Sequence, residues 1–432
     1  MIERFFKLKA HNTSVKTEAL AGFTTFLTML YIVPVNGFIL ADAGMPMDAV
    51  ITATAMITIF STLFTGLWAN TPIAMSVGMG LNAYFAYGLV LGMKLPWQTG
   101  LGIVFISGLF FLALSFTNFR IWIMTSIPMP LRNAISAGIG TFIAFIALKQ
   151  MGIIVSNPAT LVGIGKLSSL PVLLGIFGIL MNLATYAFKI KGSFILSVLI
   201  TAIVGWSFGV GEFPKEIISL PASISPIALK LDIVSAASLS LLPVIVAFLV
   251  TDMFDSLGTL TGIGARAGLF TDDAKNKDLA KTLEADAVAT TAGALFGVST
   301  TTAFIESASG VEEGGRTGLT SVFTGLFFIG TLFFLPFFKS IPSNAIYPVL
   351  VVVGILMFKE LGRIDFKSLD LAGASAVFLI VMMIPFSFSI TNGIACGFIS
   401  FVAIKLLMGK IKDLNAGIVS IAILSSLVFC VN

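Results

Sequence analysis

The sequence has little charge and few of the side chains that usually build soluble catalytic centres. Of its 432 residues only 11% are charged, one is a histidine and two are cysteines. Both cysteines, Cys396 and Cys430, lie in apolar runs, which argues against a disulfide framework and against a metal cluster. We therefore expect no metal and no cofactor, and so little charge excludes an ordinary soluble protein.

The sequence is instead rich in hydrophobic residues, which are arranged in long apolar runs. Hydrophobic residues make up 57% of the chain, and the mean hydropathy is +1.04. Apolar runs of about 20 residues, long enough to cross about 30 Å of hydrocarbon, recur from Glu18 to the C-terminus. Such runs are typical of helices, whereas a barrel shows short alternating strands. The predicted fold is an all-α polytopic membrane protein embedded in a lipid bilayer.

About fourteen membrane-spanning segments are predicted. The first seven lie near residues 18–41, 48–69, 72–92, 97–117, 131–150, 169–188 and 192–209. The second seven lie near residues 239–263, 285–298, 300–315, 318–338, 343–358, 370–388 and 391–408. The apolar stretch 414–431 fits either a further span or a helix lying against the bilayer.

These spans divide the chain into five parts. They are an N-terminal arm (1–17), a first seven-span repeat (18–209), a connector (210–238), a second seven-span repeat (239–408) and a C-terminal apolar segment (409–432). Basic residues concentrate in cytoplasmic loops of membrane proteins. The arm carries Arg4, Lys7, Lys9 and Lys16. We therefore predict a cytoplasmic N-terminus, an extracytoplasmic connector and a location in the cytoplasmic membrane, and leave the side of the C-terminus open.

A weak internal repeat supports the division into halves. "SIPMPLRNAISAGIG" (126–140) opens the fifth span, and "SIPSNAIYPVLVVVG" (340–354) opens the twelfth. Seven spans separate the two, and an odd number of helices in each repeat inverts the second half relative to the first. The sequence thus predicts the inverted repeats found in many secondary transporters.

Two polar interruptions occupy matching places, the third span of each half. In the first, Gly78 and Gly80 follow a proline, which predicts a short extended piece and then a helix. In the second, residues 299–302 read Ser-Thr-Thr-Thr and favour extended backbone or a helix cap, with a helix from about Ala303. Small residues can also simply allow close helix packing. The matched positions favour instead two broken spans that face each other across a substrate site.

Three acids lie within or beside these spans. Glu306 follows the second break, and Asp252 and Asp255 lie three residues apart in the eighth span, on similar faces of one helix. A charge at the bilayer centre costs at least about 2.5 kcal/mol, so each acid needs a partner, a proton or a hydrated cavity. For Asp252, a structural role as a helix cap or as a hydrogen-bond partner of a neighbouring span explains its position as well as a role in substrate binding does.

At these residues the sequence resembles a known family. "DMFDSLGTL", "GMGLNAYFA" and especially "IESASGVEEGGRTGLTSVFTGLFF" resemble the AzgA-like permeases. These form the adenine, guanine and hypoxanthine branch of the nucleobase:cation symporter-2 (nucleobase-ascorbate transporter) superfamily. The resemblance runs from the first span to about the fourteenth. It implies fourteen helices in two inverted sevens with broken third and tenth spans, a core and a gate domain, and often a homodimer.

The resemblance also implies a binding site. The base sits between the third and tenth spans, held by an acid of the eighth span and one of the tenth, which match Asp255 and Glu306, with Asn82 from the third. The chain departs from the family at Ser76-Val77, where Ala-Pro is usual, and at Ala303-Phe304, where Thr-Tyr is common. In the first span Gly37 replaces the usual proline. These changes leave the preferred purine open.

Purine chemistry agrees with this interpretation. A carboxylate accepts from two adjacent N–H groups, while an asparagine amide and the backbone N–H groups near Gly78 and Thr302 can donate to ring nitrogens or a carbonyl. Phe304 and Phe85 are candidates to pack on the ring, although either can equally pack in the core. The coupling ion is predicted to be H⁺, carried by Glu306, Asp255 and Asp252, because buried carboxylates can exchange protons.

Other functions of membrane proteins fit the sequence less well. A related fold could carry uracil, xanthine or an inorganic anion, but an anion site needs a positive or neutral group where Glu306 stands. An intramembrane aspartyl protease would need a Gly-x-Gly-Asp pattern, which is absent from the sequence. A simple channel also fits the sequence, and concentrative uptake that collapses with a protonophore would distinguish a carrier from it. We therefore predict a transporter, not an enzyme, and no nucleic-acid partner.

Overall fold

The structure is a computed structural model that describes residues 2–117, 126–267 and 277–431. Over these residues the chain is almost entirely helical, with four short strands. Among the described residues, eight helices are long and apolar enough to cross a membrane, and three shorter apolar helices accompany them. The predicted all-α polytopic membrane fold is confirmed.

The first seven spans match the predicted order. Their bounds are Val15–Met29 with Ile32–Asp42, Met47–Trp68, strand β1 (Met75–Val77) with Met79–Ala83 and a π-helix Tyr84–Gly92, Trp97–Ser115, Met129–Gln150, Leu170–Ala187 and Ser193–Ser207. A short helix Ile2–Phe5 precedes them, and a hairpin of strands β2 (Ile154–Asn157) and β3 (Leu161–Ile164) joins the fifth span to the sixth.

The second seven spans follow a connector with a short helix Ile233–Ala236. Their bounds are Leu242–Ala267, Lys277–Phe296, strand β4 (Thr301–Ala303) with Ser307–Glu312, Gly318–Ile329, Ser343–Phe358, Leu371–Ser387 and Ile390–Leu407. Short 3-10 helices occupy Leu239–Leu241, Gly330–Phe333, Lys359–Arg363 and Ile411–Asp413, and a further short helix is Leu335–Ser340. The C-terminal helix Ala416–Val431 packs on the fourteenth and eighth spans.

Local sequence explains where many spans begin. A proline directly precedes the second, fourth, fifth and twelfth spans, at Pro46, Pro96, Pro128 and Pro342. Proline has no backbone N–H to donate, so it fits the start of a helix and is costly in its interior. The thirteenth span instead starts at a polar cap, where the Asp370 side chain accepts from the backbone N–H of Gly373.

The ninth span begins earlier than predicted. Its helix starts at Lys277, whereas the apolar run suggested a start near residue 285. The added turns are amphipathic, because Leu279, Thr282 and Leu283 are buried while Lys281 is exposed. A hydropathy window finds the apolar part of a helix and misses such a polar extension.

The two broken spans meet at the centre of the fold. β1 and β4 pair antiparallel, with Ser76 opposite Thr302. This confirms that the interruptions face each other. The predicted helix start at Ala303 is wrong, because β4 still bonds to the third span there and Phe304 N–H donates to the Ala74 carbonyl at 3.0 Å. The helix of the tenth span begins only at Ser307.

The spans pack as two bundles. Spans one to four pack with spans eight to eleven, and we call this group the core bundle. Spans five to seven pack with spans twelve to fourteen and form the gate bundle. The core bundle contains both broken spans, so any site between them belongs to it.

Both ends of the seam between the bundles carry polar contacts. At one end, Asp42 of the first span accepts from the hydroxyls of Tyr87 and Tyr347, each at 2.6 Å, and from the Gln150 amide at 2.5 Å. Tyr347 and Gln150 belong to the gate bundle, so one core carboxylate ties the two bundles together. We call these four residues the Asp42 cluster.

At the other end of the seam, an ion pair joins the two bundles. Lys191, between the sixth and seventh spans, pairs with Glu313 at the end of the tenth-span helix. The Lys191 side chain is more than half exposed, and an ion pair in that setting adds little stability.

Candidate functional site

The two acids of the eighth span lie in different surroundings. Asp252 is buried, and its Oδ2 lies 2.9 Å from the Thr290 hydroxyl of the ninth span. Asp255, one turn later, is partly exposed. Positions three apart on a helix differ by about 60° in direction, so Asp252 faces the ninth span while Asp255 lies on a partly exposed face.

A fourth acid, Asp286, was missed by the sequence analysis. It is fully buried in the ninth span and accepts hydrogen bonds from the Ser256 hydroxyl and from the backbone N–H of Ala303, the latter at 2.9 Å. The predicted span start near residue 285 placed this acid at the membrane boundary. The spacing of Asp286, Thr290 and Gly293, four and three residues apart on one helix face, was the available signal.

The buried acids hold the broken tenth span in place. Thr290 Oγ1 lies 2.7 Å from the Thr301 carbonyl oxygen, as well as near Asp252. The Ser256 hydroxyl, which donates to Asp286, lies 2.6 Å from Thr302 Oγ1. β4 is therefore fastened to the eighth and ninth spans through side chains. A hydrogen bond to a neighbouring span, the alternative considered for Asp252, is the contact that the structure shows.

Glu306 stands at the end of the second break. It is partly exposed, directly precedes the helix Ser307–Glu312, and its Oε1 accepts from the Tyr31 hydroxyl at 2.5 Å. Tyr31 lies at the interruption between the two helices of the first span, a second residue that the sequence analysis did not single out. No local pattern connects residues 275 positions apart.

The four carboxylates converge on Asp255. Asp255 interacts electrostatically with Glu306, Asp252 and Asp286. Asp252 and Asp286 are buried and bonded to protein groups, whereas Asp255 and Glu306 are partly exposed. The exposed pair is thus the one that can meet a ligand, and the buried pair supports it.

An exposed face leads from this pair toward the C-terminal end of the eighth span. After Asp255, the exposed or partly exposed positions are Gly258, Thr259 and Gly262, which lie on one helix face. A Cβ atom added at either glycine would meet nothing within 4 Å. Ile305, next to Glu306, is 56% exposed. The exposed positions therefore run from Asp255 toward the end of the eighth span that lies opposite the Asp42 cluster.

Asn82, predicted to touch the base, belongs to another network. Its amide donates to Asn36 Oδ1 of the first span, and Asn36 donates to Thr54 Oγ1 of the second at 2.6 Å. Asn82 is fully buried, and within the described residues it makes no hydrogen bond to the acids. In this structure it joins the third span to the first.

The other predicted site residues, Gly78, Thr302 and Phe304, lie in or beside the paired strands β1 and β4, where the two broken spans cross. Gly78 N–H donates to the Thr300 carbonyl at 2.9 Å, and a Cβ at Gly78 would lie 2.7 Å from Thr302 Cγ2. Phe304 is buried, with 5% of its surface exposed. Over the described part of the chain, no group of three or more His, Cys, Asp or Glu side chains is arranged to hold a metal ion.

Comparison with known proteins gives consistent relatives. The chain is 43% identical to the putative permease MJ0326 of Methanocaldococcus jannaschii, over 99% of this chain and 98% of that one. It is 42% identical to the adenine permease AdeP of Escherichia coli (98% and 95%). It is 38% identical to the guanine/hypoxanthine permease PbuO of Bacillus subtilis (97% and 98%).

A solved structure and a family model complete the comparison. The transmembrane domain of the cyanobacterial bicarbonate transporter BicA superimposes with a TM-score of 0.63, over 90% of this chain and 97% of that one. At 15% identity this likeness concerns the fold alone. The model of the Permease family, Xan_ur_permease, matches residues 16–396. The chain therefore belongs to this family of membrane permeases, as its motifs predicted.

Proposed function

We propose that the chain is a secondary active transporter that imports purine nucleobases, such as adenine, guanine and hypoxanthine, by proton symport. One observation carries the proposal. Asp255 and Glu306 are partly exposed, lie within electrostatic range of each other, and stand beside two crossed breaks in a membrane bundle. Relatives named as adenine and guanine/hypoxanthine permeases, similar over nearly the whole chain, support the substrate class.

The chemistry of the pair fits a purine. A purine edge presents N–H donors next to ring nitrogens or a carbonyl, and each ionised carboxylate offers two acceptor oxygens. Asp255 and Glu306 supply such acceptors from two different spans, so both can accept hydrogen bonds from the N–H groups along one edge of the purine. Gly78, Thr302 and Phe304 would set the position of the crossing against which the base lies, and Asn82 would fix the third span to the first.

Proton coupling follows from the cost of moving charge through the bilayer. A bare carboxylate near the bilayer centre is costly, and a proton on Glu306 or Asp255 removes that cost. A core bundle carrying both purine and proton would then cross the apolar seam more readily than one carrying a bare charge. Asp252, bonded to Thr290, would influence this exchange through its charge next to Asp255.

The remaining assignments complete the proposal. We place the N-terminus and the arm 1–17 in the cytoplasm and the connector 210–238 outside, in a cytoplasmic membrane. The repeats 18–209 and 239–408 form the transport unit, which we expect to be a homodimer. In this orientation the Asp42 cluster closes the outer end of the seam, and the exposed face beyond Asp255 opens to the cytoplasm.

Uptake of labelled hypoxanthine in cells that lack their own purine permeases tests the proposal. We expect concentrative uptake that collapses with a protonophore, with strong competition from adenine or guanine and weak competition from uracil. A matched variant is Asp48→Asn, because Asp48 forms an exposed ion pair with Lys339 and its loss should leave uptake unchanged. Competition by uracil alone would refute the purine assignment, and uptake that only equilibrates would indicate a channel.

A further inference from the structure

Tyr31 is hydrogen-bonded to Glu306, one of the two carboxylates proposed to bind the purine. Its hydroxyl donates to Glu306 Oε1 at 2.5 Å, and its side chain is completely buried. Among the described residues, no other side chain donates a hydrogen bond to this carboxylate. A buried tyrosine hydroxyl needs a partner, so the contact fixes both groups.

The ring of Tyr31 is held as firmly as its hydroxyl. It packs edge to face against Phe194 of the seventh span, with ring centroids 5.0 Å apart. Phe194 is itself buried. Because Tyr31 sits where the first span is interrupted, packing rather than a continuous helix sets its direction. The hydroxyl is thus anchored independently of any ligand.

We propose that Tyr31 is a positioning residue for purine binding, which holds the Glu306 carboxylate turned so that its remaining acceptor sites face the base. The inference rests on the proposed function. A carboxylate has about four lone-pair directions over its two oxygens. Tyr31 occupies one of them on Oε1, which leaves Oε2 and the second direction of Oε1 for purine N–H groups. Tyr31 need not touch the purine to act in this way.

Removing the hydroxyl alone tests the proposal. Tyr31→Phe keeps the ring against Phe194 and deletes one oxygen atom. Without the hydrogen bond from Tyr31, the Glu306 side chain can adopt other rotamers. Ordering it on purine binding then costs conformational entropy and weakens the binding free energy. We expect the Kd for purine and the KM for uptake to rise about tenfold, with Vmax per transporter at the membrane nearly unchanged.

Tyr84→Phe is the matched control. The Tyr84 side chain is also fully buried, and its hydroxyl lies 2.7 Å from Thr391 Oγ1 and makes no contact with the acids among the described residues. Both variants lose one buried hydroxyl and should show similar thermal unfolding. A KM increase of the same size in both variants would reduce Tyr31 to a general structural role and overturn the proposal.

A double-mutant cycle separates this proposal from the assignment of the site. In a Glu306→Gln background the partner is neutral and the hydrogen bond weaker, so Tyr31→Phe should raise the Kd only about threefold. An undiminished tenfold effect there would show that Tyr31 acts through another group, with the site intact. Normal purine binding by Glu306→Gln alone would refute the proposed site itself.

Discussion

At the scale of single residues, the four central carboxylates divide by what they contact. Asp252 and Asp286 are buried and bond to Thr290, Ser256 and the Ala303 backbone. Asp255 and Glu306 are partly exposed. Acids in a membrane bundle must be paired, protonated or hydrated, and the two groups meet this requirement in different ways.

Glu306→Gln tests the proposed role in proton coupling. The glutamine keeps the shape of the side chain and one acceptor oxygen but cannot take up a proton. We expect weak purine binding to survive, while accumulation no longer responds to the proton gradient. Equilibrium binding and uptake at acid and neutral external pH provide the measurement. Accumulation that still follows the gradient would exclude Glu306 as the coupling group.

Three of the four central carboxylates were singled out from the sequence, and the fourth, Asp286, was missed. Asp255 and Glu306 stand out because acids are rare in apolar spans and because their motifs resemble a family. Asp286 was hidden by a polar helix extension that begins at Lys277. Tyr31 has no distinguishing pattern, since its hydrogen bond to Glu306 joins residues far apart along the chain.

At the scale of elements, the crossing of β1 and β4 depends on close packing against the ninth span. A Cβ at Gly293 would lie 2.5 Å from Thr301 Oγ1 and 2.9 Å from the Ser299 carbonyl oxygen. The backbone of the tenth span thus touches the ninth where only a glycine fits. This contact and the bonds of Asp286 hold β4 in register.

Gly293→Ala should therefore displace β4. The added methyl group meets a backbone atom that cannot rotate away, so we expect purine uptake to fall at least about tenfold and thermal stability to decrease. Gly330→Ala is the control, because a Cβ there meets nothing within 4 Å. Uptake by the Gly293 variant equal to that of the control would contradict this packing role.

The interruptions of the third and tenth spans were easier to predict than the strand pairing between them. Glycine, proline and a run of hydroxyl residues identified both interruptions, because each disfavours a continuous helix. The position of the tenth-span helix was missed by four residues, from Ala303 to Ser307. Strand pairing with the third span extends the backbone that far, and a long-range pairing leaves no local signal.

At the scale of the whole molecule, the two bundles meet along a seam that is closed at one end. In the Asp42 cluster, three hydrogen bonds join the core bundle to the gate bundle. Tyr347 and Gln150 each donate to Asp42, and the Gln150 amide also donates to the Tyr87 hydroxyl at 3.3 Å. At the other end the exposed face of the eighth span leads to the acids. Composition and the repeat predicted the bundles' spans, whereas which end is closed depends on side-chain contacts across the seam.

Asp42→Asn should loosen the closed end. The amide retains one acceptor oxygen but loses the charge that strengthens three hydrogen bonds. We expect several-fold faster backbone hydrogen exchange in the π-helix Tyr84–Gly92 and at the end of the fifth span. Asp48→Asn is the control, since Asp48 forms an exposed ion pair with Lys339. Equal exchange in both variants would show that the cluster does not close the seam.

The central claim is that Asp255, with Glu306, binds a purine, and equilibrium binding to the purified protein in lipid nanodiscs tests it most directly. Asp255→Asn leaves one acceptor oxygen and no charge, so hypoxanthine or adenine affinity should fall about tenfold to hundredfold. Asp48→Asn, the same chemical change in an exposed ion pair, should bind like the unaltered protein. Near-normal purine affinity in Asp255→Asn, with unchanged thermal stability, would contradict the claim.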